Sequence, residues 1–430
     1  MTSVVIVGGQ WGDEGKAKIT DLLSLKADYI VRYQGGANAG HTVSIAEGLY
    51  KFHLIPSGIL SKGKTCIIGP GTVIEPQFLI TEIENLQKQG ICLNALRISG
   101  LAHVTMPWNI DVDKATDTVG STGKGIGPTY TDKAKRIGFQ LQDLMSKECL
   151  ESKLKKVLTK HNQDLSRIPG INKEYKLEEV LETHLALGNQ LRPYLSDTIN
   201  ELYEARKKGI NILYEGAQGT LLDITFGTYP FVTSSTPVAG GACIGSGVGP
   251  TSIDYSLGVF KAFNTRVGEG PFPTEISSDQ EVATMLRQDG KQWAEFGTTT
   301  GRMRRVGWFD TVLAKYAVRV NSFSGIALTK IDTLDSFDEI SVCVAYHNRE
   351  TGETFDNIPQ ANAYFLSQCD PIYQTIPGWK SNTHGLKSWD ELPVQAKAYI
   401  NMLSTILEVP VAIVSTGPGR EDSIICKEIF

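Results

Sequence analysis

No C-x-x-C pair occurs anywhere in the 430 residues, and the seven cysteines are scattered and odd in number. That excludes a disulfide framework and a structural zinc site, and it fits a reducing compartment. No apolar run approaches the roughly 18 residues that a membrane span needs, and the first strand pattern begins too close to Met1 to leave room for a signal peptide. Basic charge is short as well: a formal charge of -5 and a pI of about 5.9 argue against a dedicated binder of nucleic acid or anionic membranes. Internal repeats and low-complexity tracts are absent. What remains, with 41% hydrophobic and 21% charged residues, is an expected cytoplasmic globular protein with a core large enough for one big domain. Small anionic ligands stay compatible with a local basic pocket.

Short runs rich in valine and isoleucine, followed by glycine-containing loops and amphipathic helical patterns, predict an α/β fold with a large, mostly parallel central sheet. Strands are expected at 4–7, 29–33, 66–68, 96–99, 211–214, 258–264, 325–329, 340–346 and 409–414. Ile19, Leu22 and Leu23 fall at helical spacing between the first two, giving a strand, loop, helix, strand unit. From 140 to 208 the texture turns to lysine- and glutamate-rich helical sequence, broken at Arg167-Ile168-Pro169-Gly170. A helical subdomain inserted into a single domain spanning 1–430 is expected there.

The loops carry the chemistry. GGQWGDEGKAK (8–18) follows the first strand like a phosphate-binding loop, but Gly9 and Gly15 enclose five residues, Ala17 follows Lys16, and Asp13 lies inside. The hydroxyl that usually holds magnesium is missing. GGANAGH (35–41) follows the second strand, so one unit sets Asp13, Lys16, Asn38 and His41 on the carboxyl edge where such sheets bind ligands. Taken singly, Asp13 is better read as a helix cap and His41 as a packing residue. Together in glycine-rich loops they suit proton transfer, because a carboxylate and an imidazole can be tuned to opposite roles.

YEGAQGTLLDITFGTYPFVTSS (214–235) supplies Gln218 and Thr233 among glycines and hydroxyls, and is equally a turn-rich connection. STGKGIGPTY (121–130) spaces Gly123, Gly125 and Gly127 around Lys124, a weak anion-nest signal. FGTTTGRMRR (296–305) puts three threonines before Arg302, Arg304 and Arg305, and arginine binds carboxylate or phosphate through paired hydrogen bonds. A capped helix start with solvated arginines is the plainer alternative. IALTKIDTLD (326–335) places Thr329-Lys330-Ile331-Asp332 at a strand end, the [NT]-K-x-D arrangement whose aspartate accepts from both N1–H and the amino group of guanine. VAIVSTGPGRED (411–422) adds a second strand-end loop that can close over a base.

Taken in order, GQWGDEGK, GGANAGHT, STGKGIGP, YEGAQGTLLD, GTYPFVTSS, TRVGEGPFPTE, GTTTGRMRR, LTKID and STGP resemble the adenylosuccinate synthetase family from residue 4 to the C-terminal strand. The resemblance implies a P-loop-like GTP site and GTP-dependent ligation of IMP and L-aspartate to adenylosuccinate. GDP and phosphate are released, 6-phosphoryl-IMP is the intermediate, and the reaction is the first committed step of AMP biosynthesis from IMP. It implies that Asp13 takes the N1 proton of IMP, that His41 acts as the acid at the 6-oxygen, and that one Mg2+ per subunit is held by Asp13 and the Gly40 carbonyl.

By the same resemblance GTP contacts Gly12, Asp13, Glu14, Gly15, Lys16, Ala17, Lys18, Gly40, His41, Thr42, Arg304, Lys330, Ile331, Asp332, Ser415, Thr416 and Gly417. IMP contacts Asp13, Glu14, Gly15, Lys16, Asn38, Ala39, Gly40, His41, Thr122, Arg136, Gln218, Thr233 and Arg302. Aspartate meets Thr298, Thr299, Thr300, Gly301, Arg302, Met303 and Arg304. A homodimer is implied, with Arg136 contributed to the neighbouring subunit's IMP site, and neither nucleic acid nor membrane is an expected partner. One position departs from the family pattern: GKGK is usual, and here Ala17 replaces the second glycine. A modest GTP penalty is expected if its methyl crowds a phosphate. A GTP-dependent switch without a second substrate leaves Asp13, His41 and the arginines unexplained, and a nucleotide kinase or other P-loop ligase predicts the loop spacing that is missing.

Overall fold

The structure is a computed structural model that describes residues 2–45, 48–116, 120–288, 294–296, 301 and 303–430. Its main sheet contains, in chain order, β1 (Ser3–Gly8), β2 (Tyr29–Arg32), β3 (Thr65–Ile68), β4 (Leu96–Ser99), β5 (Leu195–Ser196), β6 (Ile212–Glu215), β7 (Tyr255–Lys261), β8 (Gly325–Thr329), β9 (Val411–Ser415) and β10 (Ser423–Ile425). They lie side by side as β5-β4-β3-β2-β6-β1-β7-β8-β9-β10. Every neighbouring pair is parallel except the last, β9 with β10. β1 is buried along its whole length, which is why its sequence is an unbroken apolar run and not an alternation. Val4 faces Leu213 of β6 and Tyr255 of β7. From β1 the chain builds outward through β2 to β5 on one side and through β7 to β10 on the other, so β1 stands at the switch point where α/β sheets open a ligand crevice.

The strands expected at 4–7, 29–33, 66–68, 96–99, 211–214, 325–329 and 409–414 fall in this sheet. The run expected at 258–264 ends at Lys261; Asn264–Arg266 is a separate strand, antiparallel to Arg305–Gly307. The strand expected at 340–346 is the centre of Glu339–Asn348, but it belongs to another sheet, antiparallel to Cys369–Pro377. Its sequence, EISVCVAYHN, mixes polar with apolar positions, as suits a sheet covered on one face.

Between 140 and 208 the helices Lys147–Ser166, Leu177–Leu191 and Thr198–Lys207 form. The first begins where the Ser146 hydroxyl accepts the N–H of Cys149 at 3.2 Å. Leu150, Leu154, Leu158 and Leu165 keep helical spacing on its buried face and share one apolar cluster with Cys66 and Ile68 of β3 and Leu96 and Ile98 of β4. The same stretch contributes β5, which pairs with β4 and is too short to show a period in sequence. Among the described residues no helix is long and apolar enough to cross a membrane.

Candidate active site

The strands that flank β1 on both sides end on polar side chains. Arg32 closes β2, Glu215 closes β6, Lys261 closes β7, Thr329 closes β8 and Ser415 closes β9, all on the carboxyl edge. Above that edge lies a cavity of about 1270 Å3. Asp13, Lys16, Asn38, His41, Thr122, Gln218, Thr233, Arg304, Lys330, Asp332, Ser415 and Gly417 line it, with Gly12, Gly15, Ala17, Lys18, Ala39, Gly40 and Thr42. Glu14, Ile331 and Thr416 are also at this edge but turn their side chains into the scaffold. Arg136 is exposed at the end of helix Ile126–Lys135 and is not among the lining residues. Gly301 and Met303 are exposed. Thr298, Thr299, Thr300 and Arg302 lie outside the described residues.

The loop after β1 is shaped by left-handed backbone at Gly12 (φ 86°), Asp13 (φ 60°) and Gly15 (φ 86°), and it leads into α1 (Lys16–Ser24). Asp13 occupies a conformation that costs a non-glycine residue on the order of 1 kcal/mol, so it is held there by its surroundings. Gly15 brings no capping side chain, which leaves the first-turn N–H groups of α1 to a ligand. Glu14 braces the loop from beneath: its carboxylate accepts the N–H groups of Gln10 at 3.0 Å and Gly12 at 2.9 Å, and pairs with the Lys16 ammonium at 2.5 Å. There is room only because Gly8 is a glycine; a Cβ there would lie 2.4 Å from the Glu14 carboxylate. Ala17 lies in α1, not in left-handed backbone, and its methyl belongs to the core cluster although the residue also lines the cavity.

His41 is buried. Its Nδ1 lies 2.5 Å from Glu215 Oε1 and 3.4 Å from Arg32 Nη1. The second oxygen of Glu215 accepts the N–H of Ser57 at 3.0 Å and its hydroxyl at 3.2 Å. Burial lowers the imidazole pKa; Glu215 opposes the shift, while Arg32 and Lys16 add to it. The carboxylate fixes the ring by accepting from Nδ1–H, and Nε2 is the nitrogen left for a ligand.

On the other side of β1, Arg304 Nε lies 2.8 Å from Asp13 Oδ2, and Arg304 Nη1 pairs with Glu295. Glu295 is 1% exposed and also meets Lys261 at 2.7 Å and Lys330 at 3.6 Å. Burial alone would raise the pKa of this carboxyl, yet Lys261, Arg304 and Lys330 hold it well below the usual range. Burial brings the Lys261 ammonium down to about 8 in spite of Glu295. For Arg304 burial works against the charge, but Asp13 and Glu295 outweigh it and raise the pKa.

At the far end of the cavity, Lys330 has left-handed backbone (φ 62°) and Asp332 starts the turn after β8. Asp332 Oδ1 is buried with no hydrogen-bond partner, and the same is true of Gln218 Oε1 nearer the centre. Both are acceptors on lining residues, and an unpaired buried acceptor is costly unless a ligand satisfies it. The Lys18 ammonium donates to Ser415 Oγ at 2.6 Å, the Gly417 carbonyl at 2.7 Å and the Asp422 carbonyl at 2.6 Å. Burial lowers its pKa to about 8, with Asp422 and Asp332 opposing.

Sequence reasoning missed Arg32, Glu215, Lys261 and Glu295. A signal existed for the first three: each is a charged residue ending an otherwise apolar strand, placed there by the same register that brings the loops together. Glu295 has no such mark. Asp113, which accepts from the Ser121 hydroxyl and the Gly125 N–H at 2.8 Å each and so steadies the loop carrying Thr122, sits unmarked in a helix.

Comparison with known proteins covers nearly the whole chain. The family model described as adenylosuccinate synthetase matches residues 5–424. An adenylosuccinate synthetase from Synechococcus elongatus is 51% identical, over all of this chain and 96% of the relative. One from Prochlorococcus marinus is 49% identical, over all of this chain and 98% of the relative. Among solved structures, a fully ligated adenylosuccinate synthetase from Plasmodium falciparum superposes with a TM-score of 0.91 at 37% identity, covering 99% of each chain.

Proposed function

The chain belongs to the adenylosuccinate synthetase family, a GDP-forming ligase that joins IMP and L-aspartate at the expense of GTP, and from that premise we propose how this cavity divides among the three substrates. GTP lies along Lys330, Asp332 and Ser415 to Gly417 with its base, and across Gly12 to Lys18 with its phosphates. Asp332 Oδ1 then accepts from guanine, a pair of donors that adenine does not offer. The first-turn N–H groups of α1 and Lys16 face the phosphates. IMP occupies the centre, within reach of Asn38, Thr122, Gln218 and Thr233. L-aspartate meets the segment Thr298 to Arg304, and Arg304 reaches both it and the GTP side.

In this reading Asp13 removes the N1 proton of IMP and the 6-oxygen attacks the γ-phosphate. His41, its Nδ1–H held by Glu215, is protonated at Nε2 as well when the anionic substrates are bound, and from Nε2–H it donates toward the developing charge on that oxygen. The amine of L-aspartate then displaces phosphate at C6. Arg304, paired with Asp13 in the free enzyme, turns to the substrate carboxylate when it arrives. The Asp13 carboxylate and Gly40 carbonyl, both lining residues, are hard oxygen donors of the kind Mg2+ takes in ones and twos beside substrate phosphates. When bound there, magnesium supplies neutralisation of phosphate charge. The enzyme acts in the cytoplasm as a homodimer, each subunit lending Arg136 to its neighbour's IMP. The exposure of Arg136 outside its own cavity supports that sharing.

The observation that carries the reading is a pair of buried, unsatisfied acceptors on lining residues of one cavity, Gln218 Oε1 and Asp332 Oδ1, which this reading gives to the two nucleobases. The test mixes enzyme, IMP, L-aspartate, GTP and Mg2+ and follows the absorbance of adenylosuccinate. Product is expected only with all of them present; hydrolysis of GTP without IMP points to a switch instead. Arg136→Leu is expected to raise KM for IMP about tenfold, and an unchanged value removes the shared site.

A further inference from the structure

Glu295 has no part in the assignments above, yet just behind the cavity lining it meets three cations, Lys261, Arg304 and Lys330. It stands at the neck of the segment bearing the threonines and arginines. Its carbonyl accepts the N–H of Arg304 at 3.0 Å, its own N–H donates to the Arg287 carbonyl at 2.9 Å, and Phe296 bridges Met303 beyond it. Backbone and side chain therefore hold Arg304 to the same residue. The carboxylate also spans two adjacent strand ends, reaching Lys261 at the end of β7 and Lys330 just past the end of β8, where Lys261 and Thr329 are in register.

A guanidinium presents five donors in a rigid fork, so the hydrogen bond from Nη1 to Glu295, with the ion pair to Asp13, restricts the plane in which the remaining donors point. Lys330 has no such rigidity; its ammonium sits on a flexible stem and takes its place from the charges around it. The five groups Lys261, Arg304, Lys330, Glu295 and Asp13 bring three cations against two carboxylates, an imbalance that suits an arriving anion.

We propose that Glu295 is a positioning residue that sets Arg304 for L-aspartate and Lys330 for the guanine base together, so that one buried side chain couples the amino-acid and GTP subsites. The proposal rests on the substrate placement given under Proposed function. It is tested in the full-length enzyme by varying IMP, L-aspartate and GTP in turn for Glu295→Gln beside the parent, with thermal melting alongside. KM for L-aspartate and KM for GTP are both expected to rise about tenfold while KM for IMP stays within about twofold. A rise in only one of the two, an equal rise in all three, or no change overturns the coupling.

Because Glu295→Gln leaves buried cations without their carboxylate, Glu295→Asp serves as the second variant. It keeps the charge and withdraws it by one methylene. It is expected to melt near the parent and to raise the same two constants by a smaller factor; parental constants overturn the proposal, and this variant decides alone if the first does not fold. A parent enzyme that makes no adenylosuccinate removes the substrate placement itself, an outcome distinct from a parent that turns over and a variant that matches it.

Discussion

The two sides of β1 hold their reactive groups in opposite ways. Toward β2 and β6, His41 is buried and its partners Glu215 and Arg32 are the last residues of strands. Toward β7 and β8, Asp13 is 30% exposed in left-handed loop backbone, and its partner Arg304 follows a segment distant in sequence. A group that only orients and donates gains from strand-end rigidity. A group that exchanges a proton and a cation, the role proposed for Asp13, gains from a partner able to leave. The environments are the reverse of one another, as expected where two titratable groups divide acid and base work.

Breaking the exposed side has the largest expected effect: Asp13→Ala should reduce kcat about 100-fold or more, and retention of more than about a hundredth of parental turnover contradicts its role. On the buried side, Glu215→Gln keeps the shape but removes the charge that fixes His41. A loss of about tenfold in kcat with KM for IMP little changed is expected, and a melting curve taken with the kinetics separates it from unfolding.

A third test sharpens the contrast through pH. Glu82 accepts the N–H groups of His53 at 2.7 Å and Leu54 at 3.1 Å, just past the strand Gly48–Phe52 that pairs with the strand starting at His41. Burial raises its pKa to about 7, against hydrogen bonds from His53, Leu54 and Ile55. The folded chain keeps this proton up to about pH 7, whereas the unfolded chain releases it near 4.5. Stability therefore falls as pH rises through that window, by roughly 2–3 kcal/mol from this group. Glu82→Gln should lack that part of the slope in denaturant titrations at pH 4.5 and 7. The smallest effect belongs to Ala17→Gly, which should cost about 1 kcal/mol of stability because glycine is the poorer helix residue. A lower KM for GTP in that variant keeps the idea of a crowded phosphate, and an unchanged or higher one ends it.

The apolar runs of β1, β2 and β8 and the glycine-rich loops behind them were legible because period and turn chemistry are local. Sheet membership is not local: Ile340 to Tyr346 reads as a strand, but nothing in those residues names Cys369–Pro377 as the partner. Buried charges were the least legible. Lys261 in YSLGVFK and Glu215 in ILYE resemble solvated ends of strands, and only the register that sets Lys261 beside Thr329 and Glu215 beside Arg32 turns them inward.

Lys18 belongs to the phosphate loop by sequence but spends its three donors on the loop after β9, the one proposed to receive the base. On the proposed placement, three hydrogen bonds from Lys18 thus tie the base side of the cavity to the phosphate side before a nucleotide enters. Part of the ordering cost of binding a long, flexible triphosphate is met in advance by the fold. On that placement a guanine lacking phosphates, or a triphosphate lacking guanine, engages only one of the two sides that Lys18 joins.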